Sequence, residues 1–124
     1  MLLAAVCLAA DTPSAVAPSL CSISGGAAAC HGPKKDLKTA RQAFARGLKL
    51  EKAQNLDQAF YEFQEAARLV PQNVEYLTAR EITRQHLAGM HLEHGNSDLL
   101  DGRQVEALAE FRTALSLDPQ NEFA

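Results

Sequence analysis

A pattern of five residues occurs twice in this chain, and the two copies are offset by 48 residues. Each copy reads glycine, alanine, phenylalanine, alanine and proline at internal spacings of 12, 4, 3 and 5 residues. The copies are Gly47, Ala59, Phe63, Ala66 and Pro71, and then Gly95, Ala107, Phe111, Ala114 and Pro119. An internal repeat constrains the fold more strongly than local propensity does, because it predicts supersecondary units that stack on one another.

The residues between and around these positions follow a helical period. Apolar side chains recur every three or four residues from residue 36 onward, which predicts helices over about 36–54, 57–70, 73–99 and 104–117. Asp36 is the expected N-cap of the first helix, and Gln54–Asn55 its expected end. Phe63 and Phe111 are expected to be equivalent buried residues, and the last helix is expected to turn Val105, Leu108 and Leu115 inward as well. The fold class is therefore all-α, with about four helices in two antiparallel hairpins.

The repeated positions resemble the tetratricopeptide repeat. That family places small residues where paired helices approach closely, an aromatic residue between helices, and a proline after the second helix, as the two copies here do. Its turn glycine is present once, as Gly102, and is replaced by Gln54 in the first copy. The resemblance implies stacked hairpins with a concave surface that binds a protein or peptide.

The period departs from that family by 14 residues, which lie between Pro71 and Gly95. Fourteen residues are roughly four helical turns, so the insertion keeps the helix face in phase. We expect one long helix over 73–99 whose inner face holds Tyr76, Ala79, Thr83, Leu87 and Met90 and is widened by Ile82. A break near Gly89 is the alternative. The chain ends where a further helix is expected to begin, which indicates a truncated array.

The first 35 residues differ in composition from the rest. Leu2–Ala10 form an apolar run, and Ala15–Val16–Ala17 resembles the exit of an export signal. Cys30 follows three alanines and is a weaker match to a lipid acceptor site. The alternative is a disordered or misassigned leader. The sequence thus predicts a leader over 1–35 and a helical repeat domain over 36–124.

Composition excludes several classes of function. The chain has 124 residues and a net charge of −3, so nothing favours binding to nucleic acid, and no apolar stretch is long enough to span a membrane. Cys7, Cys21 and Cys30 all precede the predicted helices, so we expect a core that rests on packing without a disulfide framework.

No group of residues predicts catalysis, a metal site or a cofactor. His91 and His94 are spaced to share an ion, but no cysteine or aspartate cluster completes a ligand shell. Carboxylates such as Glu62 and Glu110 have the spacing of solvated helix faces. We therefore expect a protein that is not an enzyme.

The expected function is a non-enzymatic scaffold that binds a protein or peptide and that can self-associate. The four residues expected to line its binding surface are Arg41, Lys49, Glu75 and Arg84. The extended helix that contains Tyr76–Glu81 also resembles the N-terminal repeat region of bacterial secretins of type II secretion and type IV pilus systems, which implies an exported, periplasmic or envelope-associated protein. The alternatives are a purely structural helical spacer and a cytoplasmic adaptor with a misassigned leader.

Overall fold

The structure is a computed structural model that describes residues 20–23 and 29–122. The apolar run at 2–10, Cys7 and the export-signal exit at 15–17 lie outside the described residues. Within them, four helices follow one another as α1 (Lys34–Lys52), α2 (Leu56–Leu69), α3 (Val74–Leu100) and α4 (Gln104–Leu117). The all-α prediction is confirmed.

Each helix contacts the next one along the chain, so α1 with α2 and α3 with α4 form two hairpins joined by the contact of α2 with α3. The long helix is continuous through Gly89, as the in-phase insertion predicts, and 27 residues long. None of the four helices in the described ranges has the length and apolar content needed to cross a membrane.

The N-terminus of α1 is not capped by the residue that we expected, whereas the N-terminus of α3 has a side-chain cap. α1 begins at Lys34 directly after Pro33, and Asp36 lies in its first turn without serving as the N-cap. An acidic residue there still interacts favourably with the positive end of the helix dipole. The start of α3 is capped by Asn73, which is buried and whose Oδ1 accepts a hydrogen bond from the Tyr76 backbone N–H at 3.0 Å.

The turn between α1 and α2 contains a residue with left-handed backbone, and that residue is Gln54 (φ 60°) rather than Asn55. Gly102 (φ 76°) lies 48 residues later, at the equivalent position of the second hairpin. The two turns therefore share a conformation that glycine adopts readily and other residues adopt at a cost.

A disulfide joins Cys21 to Cys30, so the expectation of a fold without one is wrong. Cys21 is buried in the core cluster with Ala40, Ala43 and Tyr76. Its backbone forms a single parallel bridge with Asn73: the Cys21 N–H donates to Gln72 O at 2.8 Å, and Cys21 O accepts from the Val74 N–H at 2.9 Å. The packed region thus extends to the N-terminal side of residue 36.

Candidate interaction surface

Two of the four residues expected to bind a partner lie beside residues 22 and 23. Arg41 is exposed on α1 and borders a cavity of about 200 Å³ that Ser22, Ile23 and Tyr76 also line. The Glu75 carboxylate accepts hydrogen bonds from the Ser22 hydroxyl and from the Ile23 backbone N–H, the latter at 3.3 Å. Glu75 therefore holds a segment of its own chain.

Arg84, another of the four residues expected to bind a partner, forms hydrogen bonds within the fold. Its guanidinium donates to the Glu81 carboxylate at 2.6 and 2.9 Å and to the backbone carbonyl of Leu117 at the end of α4, and it lies 3.9 Å from Asp118. The same hydrogen bonds, with one from Gln85, lower the pKa of Glu81 from its ordinary value of 4.5 to about 2. Lys49 is exposed in the last turn of α1. The structure does not bring the four residues together into one surface.

The first copy of the repeat is fully packed. Phe63 on α2 has no exposed surface, and its ring lies 5.6 Å from that of Phe44 on α1. Phe44 in turn lies 4.9 Å from Tyr76 on α3. Ala67 on α2 belongs to the same core cluster and is only 2% exposed. The side of α2 that carries Ala67 is therefore covered by the start of α3.

No element among the described residues covers the equivalent side of α4. Leu115, the equivalent of Ala67, is 38% exposed, and Leu108 and Val105 on the same helix are 49% and 80% exposed. Phe111 is half-buried where its equivalent, Phe63, is fully buried. The prediction that Val105, Leu108 and Leu115 face inward is wrong, as is the expectation that the two phenylalanines are buried alike. We call Val105, Leu108 and Leu115 the open face of α4.

The tip of the second hairpin, at the turn from α3 to α4, is apolar as well. Leu100 is 89% exposed there, next to the half-exposed Leu99. The residues 48 positions earlier are charged, with Glu51 for Leu99, Lys52 for Leu100, and Asp57 for Val105. Comparison of the two copies position by position, rather than of apolar period alone, is the signal in the sequence that could have identified this surface. Ile82, expected on the inner face of α3, is also mostly exposed.

The glycines, alanines and prolines of the repeat have equivalent surroundings in the two hairpins. A Cβ atom added to Gly47 would lie 2.5 Å from Phe63 Cε1, and one added to Gly95 would lie 2.5 Å from Phe111 Cε1. Ala59, Ala66, Ala107 and Ala114 have no exposed surface, which permits the close approach of neighbouring helices. Pro71 and Pro119 follow the ends of α2 and α4.

The histidines of α3 do not assemble a ligand set. His91 Nδ1 lies 2.6 Å from Glu110 Oε2, whereas the ring of His94 is 6.5 Å from that of His91. The described residues contain no group of three His, Cys, Asp or Glu side chains able to hold a metal ion. In the first copy Glu62, the equivalent of Glu110, binds Arg46 at 2.8 Å instead. Glu62 and Glu110 thus each contact a side chain of the preceding helix.

Comparison of the chain with protein-family models, with curated proteins and with solved structures found no match. What the described residues define is a pair of helical hairpins with one packed side and one uncovered apolar side.

Proposed function

We propose that this chain is a non-enzymatic scaffold that binds another protein through the open face of α4. The observation that carries the proposal is the contrast between two equivalent residues: Ala67 on α2 is 2% exposed, whereas Leu115 on α4 is 38% exposed. The same helix also exposes Leu108 and Val105. Large exposed apolar patches on a protein surface mark sites of protein interaction, whereas single exposed apolar side chains are ordinary.

The fold class supports an interaction role. Stacked helical hairpins offer extended surfaces to partners. The tip of the second hairpin also exposes Leu99 and Leu100, where the first hairpin has charged residues. A purely structural spacer would have no use for leucine at these exposed positions.

We further propose that the protein acts outside the cytoplasm, as part of the bacterial cell envelope and within the N-terminal region of a secretin-like protein of a secretion or pilus system. Support comes from the resemblance of the repeats and of Tyr76–Glu81 to that region, and from the disulfide between Cys21 and Cys30. Disulfides persist in exported proteins and are rare in the cytosol. Lipidation of Cys30 would consume the same thiol, so the disulfide favours processing before Cys21 instead.

Position-specific photo-crosslinking in the producing cells tests the binding role. A benzophenone amino acid replaces Leu108 on the open face, and in a control chain it replaces Gln58, an exposed residue of α2. The proposal expects one reproducible adduct from position 108, absent from position 58 and lost when Leu115→Glu is added. Absence of an adduct from position 108, with the chain folded and abundant, contradicts the binding role and favours the spacer.

A further inference from the structure

The packing of the first copy indicates what fits the open face in the second. On the first hairpin, Tyr76 in the first turn of α3 completes a cluster with Phe44 and Phe63. The equivalents of those two phenylalanines are Leu92 and Phe111, and both are half-buried. Nothing among the described residues takes the place of Tyr76 over them.

Building on the proposed function, we infer that the partner presents an amphipathic α-helix that lies on α4 as α3 lies on α2. The helix runs antiparallel to α4, begins near Pro119, and places a large apolar side chain from its first turn over Leu92 and Phe111. Its length is about four turns, because α4 has 14 residues.

The differences between the two copies specify the chemistry of this helix further. Leu115 is larger than its equivalent Ala67, so the partner helix has a small residue opposite it. Arg112 lies between Leu108 and Leu115 in the sequence of α4, and its side chain is exposed. The equivalent residue in the first copy is the uncharged Gln64. A carboxylate on the partner helix would complement that guanidinium.

A second copy of this chain fits the surface less well. The helix it would offer in a head-to-tail stack is α1, whose exposed side carries Lys38, Arg41 and Lys49 and would meet Arg112 with like charge. Pairing of α4 with α4 would bring two Arg112 guanidinium groups into one apolar interface, which is costly without partners for them.

The chain itself supplies a probe helix that carries the required aromatic residue in its first turn. Pro119–Gln120–Asn121 repeats Pro71–Gln72–Asn73, after which α3 begins. In an extended chain, residues 122–124 are replaced by a second copy of the sequence Val74–Met90, so the added helix follows Asn121 in the natural register. Attachment raises its effective concentration, so even weak docking becomes visible.

Thermal unfolding and amide exchange report docking of the added helix. Docking is expected to raise the melting temperature by about 4–8 °C, the rise that roughly 1 kcal/mol gives a domain of this size, and to protect the amides around Phe111. Leu108→Glu in the extended chain, or alanine at the added equivalent of Tyr76, is expected to abolish the rise. Leu108→Glu in the unextended chain serves as the control, and its melting temperature is the baseline for the extended variant, because Leu108 is about half-exposed there.

Three outcomes overturn the inference. One is an extended chain with no rise in melting temperature. Another is a rise that survives both substitutions. The third is a dimer of the natural chain in sedimentation that Leu108→Glu dissociates, which would assign the face to a second copy.

If the added helix fails to dock while position 108 still yields its adduct, the binding role stands and the helical partner is wrong. An adduct whose yield falls with Arg112→Glu but not with Arg112→Lys supports the acidic complement.

Discussion

The ring of Phe111 occupies the space that a side chain on Gly95 would need, since a Cβ atom there would lie 2.5 Å from Phe111 Cε1. Gly47 and Phe63 have the same relationship in the first hairpin. The surroundings of the two rings differ, because Phe63 is fully buried and Phe111 lies beside the open face. The same glycine–phenylalanine contact thus occurs once in a fully buried environment and once in a half-buried one.

Alanine substitution at the two glycines separates these environments. Gly47→Ala is expected to destabilise the protein by up to about 2 kcal/mol, because overpacking against the fully buried Phe63 costs roughly 1–3 kcal/mol and the gain in helix propensity returns about 1. Gly95→Ala is expected to be close to neutral, because Phe111 can shift outward. Urea unfolding of both variants measures the difference.

Gly89 provides the control for that comparison. It lies in the interior of α3, and a Cβ atom added there would meet nothing within 4 Å. Gly89→Ala is therefore expected to stabilise the protein by about 0.5–1 kcal/mol through helix propensity alone. Equal losses at Gly47 and Gly95 would mean that Phe111 is as confined as Phe63.

Truncation of the two phenylalanines is expected to be unequal for the same reason. Phe63→Ala removes a fully buried ring and should cost about 3–5 kcal/mol. Phe111→Ala removes a half-buried ring and should cost clearly less. Calorimetric melting of the two variants checks the order, and a larger loss from Phe111→Ala would contradict the open face.

The sequence predicted the backbone better than it predicted burial. The repeat and its prolines placed α4 at its observed bounds and α3 within one residue of them at each end. An apolar period identifies which side of a helix avoids water, but not whether another element covers that side. Leu108 and Leu115 were assigned inward for that reason. The position of Cys21 depends on its backbone bridge to Asn73, which is 52 residues away in the sequence. No local sequence pattern predicts such a long-range contact, so the Cys21–Cys30 disulfide was missed.

The left-handed turn residues allow a stabilising substitution. Gln54 adopts φ 60° where the second hairpin has glycine, and a left-handed conformation costs a non-glycine residue about 1–2 kcal/mol. Gln54→Gly is expected to gain about 0.5–1 kcal/mol after the added freedom of the unfolded chain is subtracted. Gly102→Gln should lose a similar amount. Guanidinium unfolding of the pair tests this, and a loss from Gln54→Gly would show that its side chain contributes more than its backbone conformation costs.

Acid should weaken the contact between α3 and the end of α4. Because Arg84 and Gln85 lower the pKa of Glu81 to about 2, the folded state binds that proton less readily than the unfolded chain does. The stability from this carboxylate is complete above about pH 4.5 and is lost as the pH falls toward 2. Both Glu81→Gln and Arg84→Met are expected to flatten the decline of melting temperature between pH 4.5 and 2. An unchanged slope in both variants would remove Glu81 from the acid response.

The disulfide between Cys21 and Cys30 should contribute to stability as well as mark the compartment. The two cysteines are nine residues apart in the sequence. Removing a disulfide that closes so short a loop is expected to lower the free energy of unfolding by about 2–3 kcal/mol, because the unfolded chain gains conformational entropy. A thiol reductant is therefore expected to lower the melting temperature and to expose Tyr76, which belongs to the same core cluster as Cys21. The variant with both Cys21→Ser and Cys30→Ser should melt at the lower temperature with or without reductant.

Alkylation of the protein purified from the periplasm, without prior reduction, is expected to leave both cysteines unmodified. Quantitative labelling of Cys30 would contradict the disulfide and with it the strongest support for an exported protein.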